Sequence, residues 1–485
     1  MPLRSSRLRQ ALPGLLVGLG AALLALPHAL HDPLWQDEVA SARILGEPTL
    51  AALVHRVGQT ESTPPLWYAL GWLAHRAGFS IVDVRLLSVA AIGATAAAVV
   101  ALARRVAGRT LSVVAGLIVA CGSQFAQHAH ELRAYALLTF LSVVFAWLLE
   151  SSVTRPTRWR LAALACCTAA GAATHYFFLL TLAAGVVWLL WEADAAAVRR
   201  RVLAAVLMGA AVSLAVVPLA LSQYAHDHIW WIGAFALDSV LSVPMRMFWP
   251  FQLSGVGGAV VRLAVFALVL ASAWRLRCHS RHARCYAVLA LGPMVAAGLL
   301  WLLGLRIFAF RNLIETGPFF ALVLVGGLAL LSPFARAVSS SVVVVLVVAG
   351  YAWSQSLPTT PYNAIAHALV AEGWHAPQPI AVFGDFFDFR SPLEWYLPHD
   401  PELGLAVPER VPCRTLFAVI AADTRLARRH AVSYLREGSF DVERVRLANL
   451  VQERHFLRDA ALLGDPQRPP GCARVVRRGR YAAVV

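Results

Sequence analysis

Residues 161–192 read LAALACCTAAGAATHYFFLLTLAAGVVWLLWE, and the way this run crosses a bilayer fixes the layout of the whole chain. At 32 residues it is long for one span of about 20 and short for two. Arg155, Arg158 and Arg160 precede it, and Arg199 to Arg201 follow it. Short basic flanks stay on the cytoplasmic side of a membrane. The run must therefore enter and return as a hairpin of two short spans, with Thr174-His175-Tyr176 at its top.

The same parity argument extends in both directions. Further apolar runs lie near 12–30, 82–103, 111–128, 134–150, 202–224, 256–273, 286–303, 313–331 and 340–356. The first follows a basic stub (Arg4, Arg7, Arg9), lacks a small-x-small cleavage pattern, and reads as a span rather than a signal peptide. Arg104, Arg105 and Arg109, the cluster from Arg275 to Arg284, and Arg336 must all lie inside. Residues 64–79 are apolar, but counting them as a crossing would put Arg104 and Arg105 outside, so they read as an interfacial helix. The expectation is a polytopic α-helical membrane protein of about eleven spans, amino terminus inside, with a first outer loop at 31–80. A membrane domain covers 1–356. In 357–485 the composition shifts to Pro, Asp, Glu and Arg between short apolar runs such as Ile380-Ala-Val-Phe, which reads as a small extracytoplasmic α/β domain.

Composition agrees. The 485 residues are 59% hydrophobic and 14% charged, with mean hydropathy +0.64, which excludes both an ordinary cytosolic globule and a disordered chain. The net charge is +15 and every basic residue other than histidine is arginine. Because the arginines cluster between apolar runs, they are topogenic and do not point to nucleic acid. Arginine usage with abundant Ala, Leu and Val suggests a GC-rich bacterial genome. Among the seven cysteines, only Cys413 and Cys472 share a polar region, where a disulfide could form in an oxidising compartment. Gly18 and Gly20 sit mid-span, where packing explains them.

Ionisable groups near lipid are costly and mark function, and the predicted outer side collects them. The first outer loop carries Asp37 and Glu38, whose spacing fits a solvated first helical turn and a general base held in a partly dry cleft equally well. It continues through Glu61 to Pro64-Pro65-Leu66-Trp67-Tyr68, a helix start with headgroup-level aromatics, and ends at Asp83-Val84-Arg85. Arg85 enters a span from the outside, against the charge rule, and needs an anion. His128-Ala-His-Glu131-Leu-Arg133-Ala-Tyr135 lacks the second histidine of a metalloprotease helix. Helical spacing puts Glu131 and Tyr135 on one face and turns Arg133 elsewhere. His175 reads as a hydrogen-bonded cap or a ligand. His226-Asp227-His228 could chelate a metal only off a helix. Arg306 and Arg311 add two outer cations, and an arginine placed there suits a phosphate.

Taken in order, Asp37-Glu38, Pro64 to Tyr68, Arg85 to Ser88, Glu131-x-Arg133-x-Tyr135, Thr174 to Tyr176, and Arg311 with Leu313 and Pro318 resemble the GT-C superfamily of membrane glycosyltransferases. The resembling group includes protein O-mannosyltransferases, lipid A aminoarabinose transferase and bacterial family-39-type enzymes. The match covers about residues 10–335. The resemblance implies inverting transfer of a sugar from a polyprenyl-phosphate carrier to a glycan, lipid or protein acceptor on the outer face of the bacterial cytoplasmic membrane. It gives Asp37 the role of base with Glu38 in support, and Arg85, Arg133 and Arg311 the lipid phosphate, with Glu131 orienting. Glu61, Tyr68, Tyr135 and His175 would contact substrate. Some members carry a divalent metal; its acidic and histidine partners have no clear match here, and metal dependence is open. A transporter or flippase for a lipid-linked substrate is the rival class, but it would place charges near the bilayer midplane. A non-enzymatic assembly protein would leave the outer acid and arginines without a role.

Overall fold

The computed structural model describes residues 2–192, 195–226, 232–249, 255–356, 362–371, 380–383, 392–397, 403–404, 417–421, 475–478 and 481–484. They divide into two compact units, Met1–His31 with Ser41–Ser356, and Asp32–Ala40 with Leu357–Val485.

The first unit is helical. In chain order its elements are α1 (Pro2–His31), α2 (Gln36–Leu45, whose first residues belong to the second unit), α3 (Leu50–Thr60), α4 (Leu66–Arg76), α5 (Leu86–Ala103), α6 (Arg109–Cys121), α7 (Ser123–His128) and α8 (Tyr135–Thr154). They continue as α9 (Arg158–Thr174), α10 (Phe178–Glu192), α11 (Ala196–Ala210), α12 (Val212–Ala225), α13 (Leu237–Phe248), α14 (Gly255–Leu276), α15 (Arg281–Leu302), α16 (Gly317–Ala329) and α17 (Pro333–Ser356). Among the described residues, eight helices are long and apolar enough to cross a membrane, and Arg109–Cys121 and Phe178–Glu192 are shorter apolar helices. The 161–192 run is broken at 175–177 into α9 and α10, and α4 is the short helix that follows Pro65.

Local chemistry sets the boundaries. Thr49, Thr157 and Ser280 cap α3, α9 and α15 by accepting backbone N–H groups of Ala52, Arg160 and Ala283, each satisfying a donor that the first turn leaves open. Gly122, in an extended conformation, separates α6 from α7. Pro318 occupies the first turn of α16, where its missing donor costs nothing.

Two polar layers bracket the apolar middle. At one end Glu150, 1% exposed, receives Arg105, His282 (3.0 Å) and Tyr286 Oη (3.4 Å). Nearby, Arg281 donates to Thr154 Oγ1 at 2.9 Å and Arg160 to the Ser151 carbonyl at 3.1 Å. Arg284 grips both oxygens of Glu192 at 2.8 and 2.7 Å. The basic clusters expected to share a side therefore meet across α5, α8, α9, α10 and α15. Arg85 starts α5 at the opposite layer, and Arg104 and Arg105 follow its end. At 1.5 Å per residue, α5 spans about 27 Å between the two, close to the ~30 Å hydrocarbon thickness.

The second unit contributes α18 (Tyr362–Ala371) and strands β1 (Ile380–Phe383), β2 (Leu403–Gly404), β3 (Phe417–Ala421), β4 (Val475–Arg478) and β5 (Tyr481–Val484). They pair in the order β2-β1-β3-β5-β4, with β1 parallel to β2 and β3, and β5 antiparallel to β3 and β4. Most of 357–485, including Cys413 and Cys472, lies outside the described residues, as do Asp227 and His228.

The mid-span glycines divide by environment. A Cβ on Gly18 would stand 2.5 Å from the Gly93 carbonyl oxygen, and one on Gly93 would stand 2.8 Å from that of Gly18, whereas Gly20 has nothing within 4 Å. Packing accounts for Gly18 and not for Gly20. With Gly14 one turn earlier against Ala97, small residues let α1 and α5 approach backbone to backbone, the usual way helices associate where lipid removes a hydrophobic driving force. Gly18→Leu or Gly93→Leu should destabilise the purified protein by about 1–3 kcal/mol or more through overpacking, and Gly20→Leu should leave it unchanged. Thermal unfolding in detergent checks this; equal midpoints for all three variants would contradict the packing described.

Candidate active site

The second polar layer is built around Arg133. The chain reverses here: α7 stops at His128, a turn carries residues 129–134, and α8 begins at Tyr135. Glu131 and Tyr135 therefore do not share a helical face as the spacing predicted, because the first lies in the turn. The turn directs Arg133 inward. Its Nη1 stands 2.9 Å from both oxygens of Glu61, 3.3 Å from Ser41 Oγ and 3.3 Å from Tyr68 Oη. Arg133 and Glu61 are 7% and 4% exposed, and Ser41 and Tyr68 are fully buried. Thr63 Oγ1 donates to Tyr68 Oη at 3.4 Å, and burial pushes the Tyr68 phenol up, so it stays a neutral hydroxyl. One guanidinium thus ties α2, the end of α3 and the start of α4 to the entry of α8.

Gln223 on α12 holds the same loop from another side, donating to the carbonyls of Val57 (3.1 Å) and Thr63 (3.0 Å) and accepting from Tyr176 Oη at 2.9 Å. Glu131 is held by His128 and by Gln127 Nε2 at 3.1 Å. Burial would raise its carboxyl, but the His128 charge and hydrogen bond, with His130 and Gln127, bring it below the usual carboxylate range. Its backbone carbonyl accepts from Ser88 Oγ at 2.8 Å. Arg85, 1% exposed, donates to the Ala29 carbonyl at 3.2 Å.

Tyr135 links this group to the loop before α16. Its ring lies 4.5 Å from that of His128 and 5.6 Å from that of His175, and its hydroxyl stands 3.4 Å from Asn312 Oδ1. His175 is 3% exposed; its imidazole is pushed down to about 3 by burial, with the charges of Arg133 and Arg311 adding to the effect. Of the residues singled out in the first unit, Glu61, Tyr68, Glu131, Arg133, Tyr135, His175 and Arg311 fall in one connected group, with Arg85 on the same layer. Arg306 is exposed.

A cavity of about 430 Å³ opens beside this group, lined by Arg246, Arg311, Ser239 and the aromatic rings of Trp301, Phe308 and Phe310. Trp301 and Phe308 stack at 4.8 Å, and Trp301 Nε1 donates to the Gly233 carbonyl at 3.0 Å. Arg246 lies over the Phe310 ring at 4.8 Å, a cation–π contact. Sequence reading missed Arg246. It sits in α13, a short amphipathic helix between two spans, and only its charge in an apolar run was available as a signal.

Asp37 and Glu38 open the first turn of α2, where negative charge is favoured. Glu38 Oε2 accepts the Trp35 amide at 3.3 Å, half of a capping box. Both carboxylates belong to the second unit. Among the described residues, no three His, Cys, Asp or Glu side chains converge to hold a metal ion.

No family model matches the chain, and no curated protein sequence does. Among solved structures it is similar to ArnT, the lipid A aminoarabinose transferase, from Cupriavidus metallidurans. In the apo state the TM-score is 0.54 at 14% identity, covering 97% of both chains. With ArnT bound to undecaprenyl phosphate the TM-score is 0.51, again at 14% identity over 97% of both chains. An oligosaccharyltransferase from Archaeoglobus fulgidus, in complex with Zn and sulfate, gives 0.49 at 14% identity over 80% of this chain and 62% of that one. The fold is ArnT-like, as the resemblance to GT-C enzymes led one to expect.

Two outcomes follow from this geometry. Glu61→Leu should cost about 3–5 kcal/mol, because it leaves the Arg133 guanidinium buried without its carboxylate; adding Arg133→Leu should recover part of the loss in a double-mutant cycle read by thermal unfolding. His175 has a folded-state pKa below its unfolded value, so the unfolded chain gains a proton as pH falls below about 6.5 and the folded chain does not until about 3. That contribution is fully present above pH 6.5 and is lost on acidification. Between pH 7.5 and 5 the wild type should lose more stability than His175→Gln, by about 2 kcal/mol; parallel pH dependence in the two proteins would refute it.

Proposed function

We propose that this chain is an inverting membrane glycosyltransferase that takes a sugar from a polyprenyl-phosphate carrier. The observation that carries the reading is the convergence, at one end of an ArnT-like helical fold, of buried Arg133, Tyr135 and His175 with Arg311 beside an aromatic-walled cavity. A glycosyl phosphate needs cations for the departing anion and one base for the acceptor, and no general acid. Asp37 takes the acceptor hydroxyl proton. The acceptor oxygen attacks the anomeric carbon, the bond from that carbon to the phosphate oxygen breaks, and its electron pair leaves on polyprenyl phosphate. Arg311 and Arg246 receive the developing charge, and Arg85 is assigned to the lipid phosphate with them. Arg133, matched by Glu61, acts first by holding the loop that carries Ser41 and Tyr68, while Glu38 caps the turn that presents Asp37. Glu131 supports the turn that carries Arg133, and Tyr135 contacts the bound sugar.

The arginine-rich layer around Glu150 faces the cytoplasm by the charge rule, which leaves the site and the 357–485 unit outside. In this reading the chain has about eleven spans in the bacterial cytoplasmic membrane, counting α9 with the shorter apolar helices. The α/β unit at 357–485 meets a glycan, lipid or protein acceptor.

With the full-length protein in lipid and a panel of polyprenyl-phosphate sugars, carrier cleavage should be measurable. Asp37→Asn should slow it by at least about 100-fold, the contribution of a positioned base, without shifting thermal unfolding. Undiminished cleavage would remove Asp37 from the mechanism, and passage of intact carrier across the membrane without cleavage would favour a flippase.

A further inference from the structure

His175 closes α9 and is poorly used by the fold around it. Its backbone amide completes the helix by donating to the Gly171 carbonyl at 3.2 Å, so the cap needs nothing from the imidazole. The ring does have one bond: Nδ1 accepts the Phe177 amide N–H at 3.2 Å. A backbone N–H can only donate, so Nδ1 must be the unprotonated nitrogen, and in the neutral ring the proton then sits on Nε2. That Nε2–H is buried and has no hydrogen-bond partner among the described residues, although the residue is only 3% exposed. Buried donors are almost always satisfied, and an orphan requires an explanation.

Its surroundings supply one. The charges of Arg133 and Arg311 both reach the ring, and Tyr135 packs against it at 5.6 Å. Arg311 also lines the 430 Å³ cavity. Among the described residues, the groups acting on the imidazole are thus two guanidiniums, the Tyr135 phenol and the Phe177 ring, with no carboxylate. Such a site repels a further cation and suits a neutral donor aimed at an anion that Arg311 attracts.

We propose that His175 is a neutral hydrogen-bond donor, through Nε2–H, to the phosphate oxygens of the bound substrate, and that the Phe177 amide fixes the tautomer that makes it one. This deepens the glycosyltransferase reading and rests on it. The arrangement excludes two other roles. With its proton on Nε2 and its lone pair on Nδ1 occupied, the ring has no nitrogen to offer a metal. A ring already carrying a proton on Nε2 cannot take the acceptor's proton there. The donation stays in place across neutral pH because the ring is not switched by protonation.

The test uses the full-length protein in nanodiscs with undecaprenyl phosphate as the probe and inorganic phosphate titrated in parallel. His175→Phe removes the donor and should weaken prenyl-phosphate binding about tenfold. His175→Gln, whose amide can donate from a similar reach, should stay within about threefold of wild type. The ratio of His175→Phe to wild-type affinity should be flat from pH 5.5 to 8, because no charge is gained or lost at this position. Equal dependence on residue 175 with inorganic phosphate would assign the recognition to the phosphate group alone; dependence with prenyl phosphate only would assign it to the lipid headgroup. Either supports the proposal.

Three results would overturn it: equal affinity in wild type and His175→Phe, a ratio that rises steadily on acidification as an imidazolium contact would, or a ¹⁵N-histidine spectrum that places the His175 proton on Nδ1. The last reading needs no variant and holds even if His175→Phe fails to fold. A wild-type protein that binds no prenyl phosphate and cleaves no carrier would sink the functional reading and this inference together, whereas binding that ignores residue 175 sinks this inference alone.

Discussion

An ionised side chain costs several kcal/mol in hydrocarbon, and the chain's architecture follows from that cost. Among the described residues of the first unit, the buried ionised side chains gather into two layers at the ends of the helices. One layer is structural, with Glu150 receiving Arg105, His282 and Tyr286 and Glu192 receiving Arg284. The other, around Arg133, has cations close to an aromatic-walled cavity. The same physical sorting that keeps charge out of the apolar middle also gathers the candidate site residues at one end.

Within the second layer the buried Arg133–Glu61 pair is the joint on which the rest is hung. A buried ion pair is weak evidence of net stability, but it is strict about geometry, since neither partner tolerates losing the other. Because Arg133 also reaches Ser41 and Tyr68, the loop from 41 to 76 keeps one position relative to α8. Gln223 repeats the arrangement with two backbone carbonyls. Polar contacts are used here where a soluble protein would use a hydrophobic core, because at this depth apolar surface gains little by leaving lipid.

The layout was legible in the sequence because charge position is read directly from it. The break of the 161–192 run into two helices, the short helix after Pro65 and the common side of Arg105, Arg160 and Arg281 all follow from counting charges and apolar runs. Pairings across long separations were not legible: Arg133 meets Glu61 72 positions away, and only the turn at 129–134, which a helical reading erased, directs it there. Arg246 was missed because an amphipathic helix between spans has no topological rule to violate. Gly18 and Gly20 look alike in sequence, and only the partner helix separates them.

The division of cations suggests how such a site remains both stable and receptive. Arg133 is opposed by a buried carboxylate, so its field is largely spent on the fold. Arg246 has one face on the Phe310 ring, and burial pulls its guanidinium down against the opposing pull of Asp238, with Arg262 adding to the burial effect. Aromatic contact holds a guanidinium in place without neutralising it. An anion entering the cavity would then meet charge already oriented and partly stripped of water, so little reorganisation remains when negative charge develops there. The proposed donation from His175 completes the same logic from the neutral side: where two guanidinium charges act on the ring a further cation would be repelled, whereas a neutral N–H adds direction.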